Sequence, residues 1–397
     1  MREHPPEVSA ILRDVAEGEN LQTAINTHIR RGAGEGEHSL LETHIHSLIV
    51  GVGPDLAPLI ADETVTDILV NSTDMWVDRG GGLTPVTSPF GSEAQVRAQA
   101  VHMAAACGRR LDDASPIVDG TLPNGVRLHA VLPPLSGEGT LISLRTSRPQ
   151  VLTLDHLLGV GTVSPEVAVI LNALISLKAN TLISGATGSG KTTLLSAVLA
   201  LVPDTERIVC IEEVSELRPS HPHVVHLQER RPNVQGAGAV TLAELVRAAM
   251  RMRPDRIVLG ECRGGEVRDV MSALNTGHDG GWATLHANAV EDVPARLSAL
   301  GALAGMDDRA LTAQATAAFD AVIQMRRRTC DGHRYVNQIG VFTQSQGSLA
   351  CQLALTIGED GEAASGPGWE MLARRLALPV DFLSHAAIDK AGEKKNQ

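Results

Sequence analysis

Eight residues near the middle of the chain have the types and the spacing of a loop that binds phosphate. Residues 185–192 read Gly-Ala-Thr-Gly-Ser-Gly-Lys-Thr, which fits G-x-x-x-x-G-K-[ST]. A strand-like segment at 180–184 precedes the loop, and a helical segment at 193–199 follows it. Glycines let backbone N–H groups turn toward phosphate oxygens, and the start of a helix adds partial positive charge. The pattern therefore predicts a site for a nucleoside triphosphate.

The residues of this loop have separate expected roles. We expect Lys191 to reach the β- and γ-phosphates and the Thr192 hydroxyl to hold Mg²⁺. An ordinary glycine-rich turn is the alternative, but the strand, the lysine, the hydroxyl and the helix all agree with a phosphate loop. The expected ligands are a nucleoside triphosphate and Mg²⁺. The expected nucleotide-binding residues are Gly185, Ala186, Thr187, Gly188, Ser189, Gly190, Lys191, Thr192 and Thr193.

Three glutamates follow short apolar segments that suit a buried parallel sheet. Glu212 and Glu213 come after residues 208–211, and Glu261 comes soon after residues 257–259. Because the carboxyl ends of parallel strands open onto one crevice, these carboxylates are expected beside the phosphate loop. One can hold the water shell of Mg²⁺ while another orients the attacking water. Glu212 and Glu213 can also be solvated loop charges, whereas Glu261 lies between an apolar strand and a glycine-rich turn.

Two histidines flank a short strand-like segment within residues 275–288. His278 precedes this segment and His286 follows it. An imidazole beside a triphosphate can sense the γ-phosphate, while a histidine at a strand end can also make a purely structural hydrogen bond. For His286 the neighbouring motifs favour the first interpretation.

Helices and apolar strands alternate from about residue 151 onward. Ser164 is followed by Pro165, which is typical of a helix start, and Thr241 with Glu244 has the spacing of a capping box. Residues 331–332, Asp-Gly, predict a hairpin turn. Alternation of strands and helices around a phosphate loop predicts a doubly wound α/β core.

Shorter strands dominate the region before residue 150. Residues 123–125, Pro-Asn-Gly, predict a hairpin turn, and Ser92 with Gln95 has capping-box spacing at a helix start. This region is expected to form a smaller α+β domain. The expected division of the chain is a helical extension at 1–60, the α+β domain at 61–150, the nucleotide-binding domain at 151–345 and a C-terminal tail at 346–397.

The composition disfavours several classes of protein. The 397 residues carry a net charge of −12 and only 2% aromatic residues, which argues against a general affinity for nucleic acid and against base-stacking platforms. Five cysteines with no C-x-x-C pair indicate neither a disulfide framework nor a zinc ribbon. The sequence shows no signal peptide and no apolar stretch of about 18 residues. A soluble, cytoplasmic protein is therefore expected.

Four motifs in this order resemble the secretion-ATPase superfamily, which serves type II and type IV secretion and pilus assembly. They are the phosphate loop, the acidic segment 211–217, the segment 251–266 and the histidine segment 277–288. Residues 115–120 and 122–127 also look like that family's N-terminal domain. Within the superfamily, the chain resembles the tight-adherence (Flp) pilus branch. The four-cysteine zinc module of type II secretion ATPases is absent, which favours the tight-adherence or type IV branches.

The resemblance implies an architecture and an activity. The expected protein is a ring-forming, usually hexameric ATPase with a RecA-like P-loop core and a smaller, PAS-like N-terminal domain. ATP hydrolysis would drive extraction and assembly of pilin through an inner-membrane platform protein. The ATPase itself would lie at the inner face of the cell membrane.

The resemblance also implies roles for particular side chains. Glu261 corresponds to the Walker B glutamate and is our choice of general base, while Glu212 is expected to support Mg²⁺ and water. The expected Mg²⁺ site comprises Thr192, Glu212 and Glu261. The sequence alone does not decide which glutamate is the base. His286 is expected near the γ-phosphate. Arg127 and Arg145 match the N-terminal arginines that reach the nucleotide cleft, and surface positions on strands are the alternative for both.

Three other functions compete with the pilus motor. A type IV secretion ATPase that powers DNA or effector transfer would share every catalytic motif and differ only in its partner. A nucleotide-gated scaffold without catalysis is a second possibility, although all the expected catalytic residues are present. A DNA motor of the RecA type would need a basic groove, which the acidic charge balance disfavours.

Overall fold

The computed structural model describes residues 8, 10, 11, 14, 21–28, 45, 51–146, 152–230, 232 and 237–383. Contacts along the backbone divide the chain into two compact units, Met1–Pro149 and Gln150–Gln397. Within the described ranges no helix is both long and apolar enough to cross a membrane.

The N-terminal unit contains an antiparallel six-stranded sheet with the strand order β3-β2-β1-β6-β5-β4. Its elements are α1 (Leu21–His28), α2 (Ala57–Ala61), β1 (Asp67–Asn71), β2 (Asp74–Asp78), β3 (Leu83–Val86), α3 (Glu93–Ala106), β4 (Ile117–Thr121), β5 (Arg127–Val131) and β6 (Leu141–Arg145). Alternate residues of the central strands are buried, and their apolar side chains share a core with one face of α3. The α+β character predicted for this region is confirmed.

Two local predictions in this unit have different outcomes. The hairpin at residues 123–125 is confirmed, since β4 and β5 pair antiparallel from Ile117 opposite Val131 onward. The prediction of a capping box at Ser92 is wrong. Ser92 is the N-cap of α3 but its side chain makes no capping hydrogen bond. The Gln95 side chain accepts from the Gly91 N–H at 2.7 Å, one residue earlier than a capping box requires.

The C-terminal unit is built on a nine-stranded sheet with the order β15-β14-β13-β12-β7-β11-β10-β8-β9. Its strands are β7 (Thr181–Gly185), β8 (Ile208–Glu212), β9 (Val224–Gln228), β10 (Arg256–Cys262), β11 (Trp282–Leu285), β12 (Ala321–Arg327), β13 (Arg334–Ser345), β14 (Ser348–Ile357) and β15 (Ala363–Ser365). Its helices are α4 (Leu154–Gly159), α5 (Pro165–Ser176), α6 (Lys191–Leu199), α7 (Leu242–Ala249), α8 (Glu266–Leu274), α9 (Val293–Leu303), α10 (Asp308–Ala318) and α11 (Trp369–Arg375), with a 3-10 turn at Val290–Asp292.

The strands from β7 to β12 run parallel, and both faces of their sheet are covered. Successive side chains point to opposite faces, so Ile183 and Leu182 of β7 belong to two different cores. Burial on both faces explains why these strands are continuous apolar runs rather than alternating patterns. The doubly wound α/β core is confirmed.

The predicted helix starts and the second hairpin are also present. Ser164 Oγ accepts from the Val167 N–H at the start of α5. Thr241 and Glu244 form a complete capping box at α7. The chain turns at residues 331–332 between β12 and β13, which pair antiparallel.

The sheet continues past the predicted domain end at residue 345. Strand β14 pairs along most of β13, and Trp369 and Leu372 of α11 lie in the larger core. Residues 348–375 are thus part of the folded C-terminal unit rather than an appended tail. Residues 349, 351, 353, 355 and 357 are alternately apolar, which is a strand signal that the sequence reading missed. The other predicted domain limits stay predictions.

Candidate active site

The phosphate loop connects the fully buried strand β7 to helix α6, which begins at Lys191. Gly185 has a φ of +153°, and a Cβ there would lie 2.5 Å from Ser189 Oγ and 2.7 Å from the Met325 carbonyl oxygen. Gly190, the N-cap of α6, has a left-handed φ of +99°. Both positions therefore require glycine. The strand–loop–helix context expected from the sequence is confirmed.

Lys191 lies folded into the loop. Its side chain is buried, and Nζ donates to the carbonyl oxygens of Gly185 and Ala186 at 2.9 and 3.0 Å. Burial lowers the pKa of Lys191, while the carboxylate of Glu261 acts to raise it. A buried ammonium group held only by carbonyl oxygens is well placed to exchange them for phosphate oxygens.

Other atoms of the loop also fit a bound phosphate. Ser189 Oγ is buried and has no hydrogen-bond partner among the described residues. Thr192 is half-buried in the first turn of α6, next to the exposed Thr193. A hydroxyl at this position suits Mg²⁺, which prefers oxygen ligands. The donor set therefore fits ATP with Mg²⁺.

Glu261 lies in β10 between the side chains of Arg263 and His286. Its Oε2 is 2.7 Å from Arg263 Nη2, and its Oε1 is 2.6 Å from His286 Nε2. The second contact does not have the geometry of a hydrogen bond, since Oε1 accepts none within the described residues. Lys191 is close enough for its charge to affect His286 as well. The structure thus brings together Lys191, Glu261 and His286, which the sequence assigned to one site from three separate motifs.

Histidine 286 lies at the end of β11, where its ring is about one third exposed. Burial lowers its pKa, Lys191 lowers it further and Glu261 opposes both. The lowered pKa favours the neutral form of the His286 imidazole. By contrast, His278 Nδ1 lies 3.2 Å from the Ala273 carbonyl oxygen, at the C-terminal end of α8. The structural interpretation fits His278.

Arg263 joins Glu261 to the acidic segment. Its Nη1 donates to Glu213 Oε2 at 2.8 Å while Nη2 binds Glu261. The hydrogen bond to Glu261 is the main cause of the raised pKa of Arg263. A planar guanidinium group suits such a bridge between two carboxylates. This bridge was not predicted, because nothing local in the sequence relates residue 213 to residue 263.

Glu212 has quite different partners. It is 4% exposed, and its Oε1 accepts from the backbone N–H groups of Glu216 and Leu217, each at 2.8 Å. Its Oε2 lies 3.7 Å from His226 Nδ1 and accepts no hydrogen bond within the described residues. One oxygen of Glu212 therefore shapes the acidic segment, and the other remains for a further ligand.

Residue 260, just before Glu261, must be a glycine because the Glu212 side chain lies against it. A Cβ at Gly260 would lie 2.8 Å from Glu212 Cγ. The Gly260 carbonyl oxygen accepts from Thr284 Oγ1 at 2.5 Å, which ties β10 to β11. Position 260 is thus closed to larger side chains by the acidic-segment glutamate.

Sequence reasoning missed a buried glutamine under the site. Gln324 of β12 is 2% exposed and hydrogen-bonds the Ser184 hydroxyl of β7. Its Nε2 donates to the Ala287 carbonyl oxygen at 3.1 Å. It therefore fixes the phosphate-loop strand to the segment that carries His286. A lone amide inside the apolar run of β12 was the available signal.

The two predicted N-terminal arginines lie together in the other unit. Arg127 of β5 and Arg145 of β6 are direct register partners and share one face of the sheet. Arg145 Nε donates to Asp67 Oδ1 at 2.9 Å, and its side chain is 67% exposed. Their action at the nucleotide stays a prediction.

A buried parallel sheet, a phosphate loop at its carboxyl edge and a glutamate–histidine pair beside the loop lysine define a P-loop nucleotide-binding protein. A family model described as "Type II/IV secretion system protein" matches residues 54–363. The chain belongs to this family of secretion ATPases. The resemblance found in the sequence is confirmed at that level, and the tight-adherence branch stays a prediction.

Relatives of known name come mainly from transfer and secretion systems. A protein of Mycobacterium tuberculosis H37Rv, named "Putative conjugal transfer protein Rv3659c", is 48% identical over 301 residues, which cover 74% of this chain and 85% of that protein. The type IV secretion system protein PtlH of Bordetella pertussis is 33% identical, covering 61% of this chain and 78% of its own length. The conjugal transfer protein TrbB of Rhizobium radiobacter is also 33% identical, covering 65% and 79%.

Solved structures share the fold. The Legionella pneumophila ATPase DotB has a TM-score of 0.53 at 19% identity, covering 84% of this chain and 85% of that chain. The pilus retraction motor PilT with bound ADP has a TM-score of 0.51 at 20% identity, covering 71% and 80%. The RecA-like core with a smaller N-terminal domain is confirmed.

Proposed function

We propose that this chain is a Mg²⁺-dependent ATP hydrolase that acts as a homo-oligomeric, hexameric ring and powers pilus assembly or secretion across the inner membrane. The observation that carries the proposal is the meeting of Lys191, Glu261 and His286 at the mouth of the phosphate loop. Its expected partner is an inner-membrane platform protein, which would hold the ring at the inner face of the membrane.

The residues of the loop bind and position the triphosphate. The backbone N–H groups of the loop and the N-terminal end of α6 face the phosphates. Lys191 moves from its two carbonyl partners to the β- and γ-phosphates. Thr192 and the free oxygen of Glu212 would hold Mg²⁺ and its water shell. The metal ion would neutralise charge on the phosphate oxygens. Tight positioning of the phosphates is the main requirement of phosphoryl transfer.

Glu261 accepts the proton of the attacking water. Arg263 orients Oε2 of this carboxylate before substrate arrives, while Oε1 lies 2.6 Å from His286 Nε2. The neutral ring of His286 carries one N–H, and Nε2 could turn from Glu261 to donate it to a phosphate oxygen without repelling Lys191. Arg127 and Arg145 then add positive charge from the N-terminal unit as charge develops in the transition state.

A second candidate is a type IV secretion ATPase that transfers DNA or effector proteins. The names of the relatives favour this candidate, since they come from conjugal transfer and type IV secretion systems. The catalytic side chains would be the same. Prepilin genes next to the coding gene would favour the pilus role, and genes for a conjugation apparatus would favour the second candidate.

The test is Mg²⁺-dependent ATP turnover of the purified chain, with its mass measured by light scattering with and without nucleotide. The companion variants are Lys191→Ala and a matched lysine change, Lys178→Ala, at a partly exposed ion pair with Glu206 outside the loop. The proposal expects turnover from a species near six chains, lost in Lys191→Ala and retained in Lys178→Ala. Nucleotide binding without turnover in every assembly state would instead indicate a nucleotide-gated scaffold.

A further inference from the structure

The hairpin formed by β12 and β13 carries a concentration of positive charge in an acidic chain. Its acidic member, Asp331, pairs with Arg328, in a chain whose net charge is −12. The basic residues at this end of the hairpin are Arg326, Arg327, Arg328, His333 and Arg334. In the sequence, residues 326–328 form only a short basic cluster. The pairing of β12 with β13 brings His333 and Arg334 to the same end of the hairpin.

Strand register divides these residues between two faces. Arg327 lies directly opposite Arg334, and Met325 lies opposite Val336. Residues two apart on a strand share a face, so Met325, Arg327 and Arg334 lie on one side. Arg326 lies opposite Tyr335 and points to the other side.

The first of these faces lies against the phosphate loop. Arg334 Nε donates to the Gly188 carbonyl oxygen at 2.8 Å. A Cβ at Gly190 would lie 3.3 Å from Arg334 Cδ and 3.4 Å from Met325 Cε. Met325 thus packs near Gly190, and Arg334 contacts the loop at both Gly188 and Gly190.

The charges of Arg327 and Arg334 are not neutralised by carboxylates. Within the described residues neither forms an ion pair, and both donate only to carbonyl oxygens, Gly332 for Arg327 and Gly188 for Arg334. In contrast, Arg263 binds two carboxylates and Arg328 binds one. The Nη groups of the exposed Arg334 side chain remain available while its Nε holds the loop.

We propose that Arg334, supported by Arg327 across the strand pair, is a nucleotide-binding residue that contacts the phosphate chain from the side of the loop opposite α6. The proposal rests on the proposed nucleotide binding and adds a residue to it. A guanidinium group can hold the Gly188 carbonyl oxygen through Nε and phosphate oxygens through its Nη groups. A role restricted to clamping the loop would leave these Nη groups and the neighbouring charge of Arg327 unused.

The test is equilibrium binding of a fluorescent ADP analogue to the full chain. Arg334→Gln should weaken binding roughly 10-fold to 100-fold, as expected for loss of a hydrogen bond to a charged group. Arg334→Lys should recover part of that loss because it keeps the charge. Arg326→Gln, which removes a charge from the opposite face of the same hairpin, should bind within about twofold of the unchanged protein.

Salt dependence separates a phosphate contact from a loop clamp. Loss of a phosphate contact reduces the slope of log Kd against log salt concentration, whereas loss of a clamp weakens binding without changing that slope. Affinity for the ADP analogue equal to that of the unchanged chain, or a weakened affinity with an unchanged salt slope, would overturn the proposal. If the unchanged chain binds no nucleotide, the proposed function itself fails, which is a distinct result.

Discussion

Glu212 and Glu261 lie at the carboxyl ends of neighbouring parallel strands of one sheet, yet they have different partners. Glu212 directs one oxygen to two backbone N–H groups of its own loop. Glu261 binds the side chain of Arg263 and lies against that of His286. The same residue type at two neighbouring strand ends thus binds backbone N–H groups in one strand and lies among side chains in the next. The position of a glutamate at a strand end predicts that it lies in the crevice, whereas the groups that it contacts determine its role there.

The largest expected effect in this comparison is on catalysis by Glu261. Glu261→Gln keeps the shape of the side chain but removes the proton acceptor, so kcat for ATP should fall about 10³-fold. Nucleotide affinity should change less than about threefold. Steady-state turnover and equilibrium binding measure the two quantities, with Glu359→Gln as an exposed control in the same unit. A kcat near that of the unchanged chain would exclude Glu261 as the base.

For Glu212 the larger effect should be on stability. Glu212→Ala leaves two backbone N–H groups without their charged acceptor, so the free energy of unfolding of the C-terminal unit should fall by about 3 kcal/mol. Glu212→Gln keeps an acceptor oxygen and should lose less than half of that. Urea unfolding followed by circular dichroism measures both. Equal losses in the two variants would show that the backbone contacts of Glu212 contribute little.

Gly260 tests the contact between the two strand ends. Gly260→Ala places a Cβ against Glu212 Cγ and should cost about 2 kcal/mol of unfolding free energy. In a Glu212→Ala background the same change should cost clearly less, because the colliding atom is gone. Urea unfolding of the two single variants and the double variant gives this coupling. Additive losses would mean that the collision is relieved elsewhere.

The smallest expected effect concerns the bridge between the acidic segment and Glu261. Arg263→Gln should lower kcat about tenfold because Glu261 loses a charged orienting contact. Glu213→Gln leaves Arg263 bound to Glu261 and should lower kcat only about twofold. Arg268→Gln, at an exposed position on α8, is the matched control. The bridge has no catalytic role if Arg263→Gln turns over at the rate of the control.

The sequence predicted the crevice well because its signals are local. A phosphate loop, apolar runs and the carboxylates that follow them are each contained in a few residues, and parallel pairing brings their ends to one edge. The contacts that orient the site side chains join residues far apart in the sequence. Arg263 meets Glu213 across 50 residues, and Gln324 meets Ser184 across 140. Strand β14 is a different case, since its alternation was visible in the sequence.

The N-terminal arginines show what register adds. Arg127 and Arg145 are separated by 17 residues, and only the pairing of β5 with β6 makes them direct neighbours on one face. The sequence identified both by resemblance, without a local reason for their proximity. Their shared face is consistent with a joint role, which the nucleotide-binding experiments can extend to Arg127→Gln and Arg145→Gln.

Our assignment gives Glu261 the chemistry and Glu212 the support of the site. Its most direct test is the chemical state of radiolabelled ATP bound to Glu261→Gln and to Glu212→Gln after a single mixing with Mg²⁺. Glu261→Gln should retain uncleaved ATP, while Glu212→Gln should convert its bound ATP to ADP, though more slowly than the unchanged chain. Cleavage in Glu261→Gln together with intact ATP in Glu212→Gln would reverse the assignment.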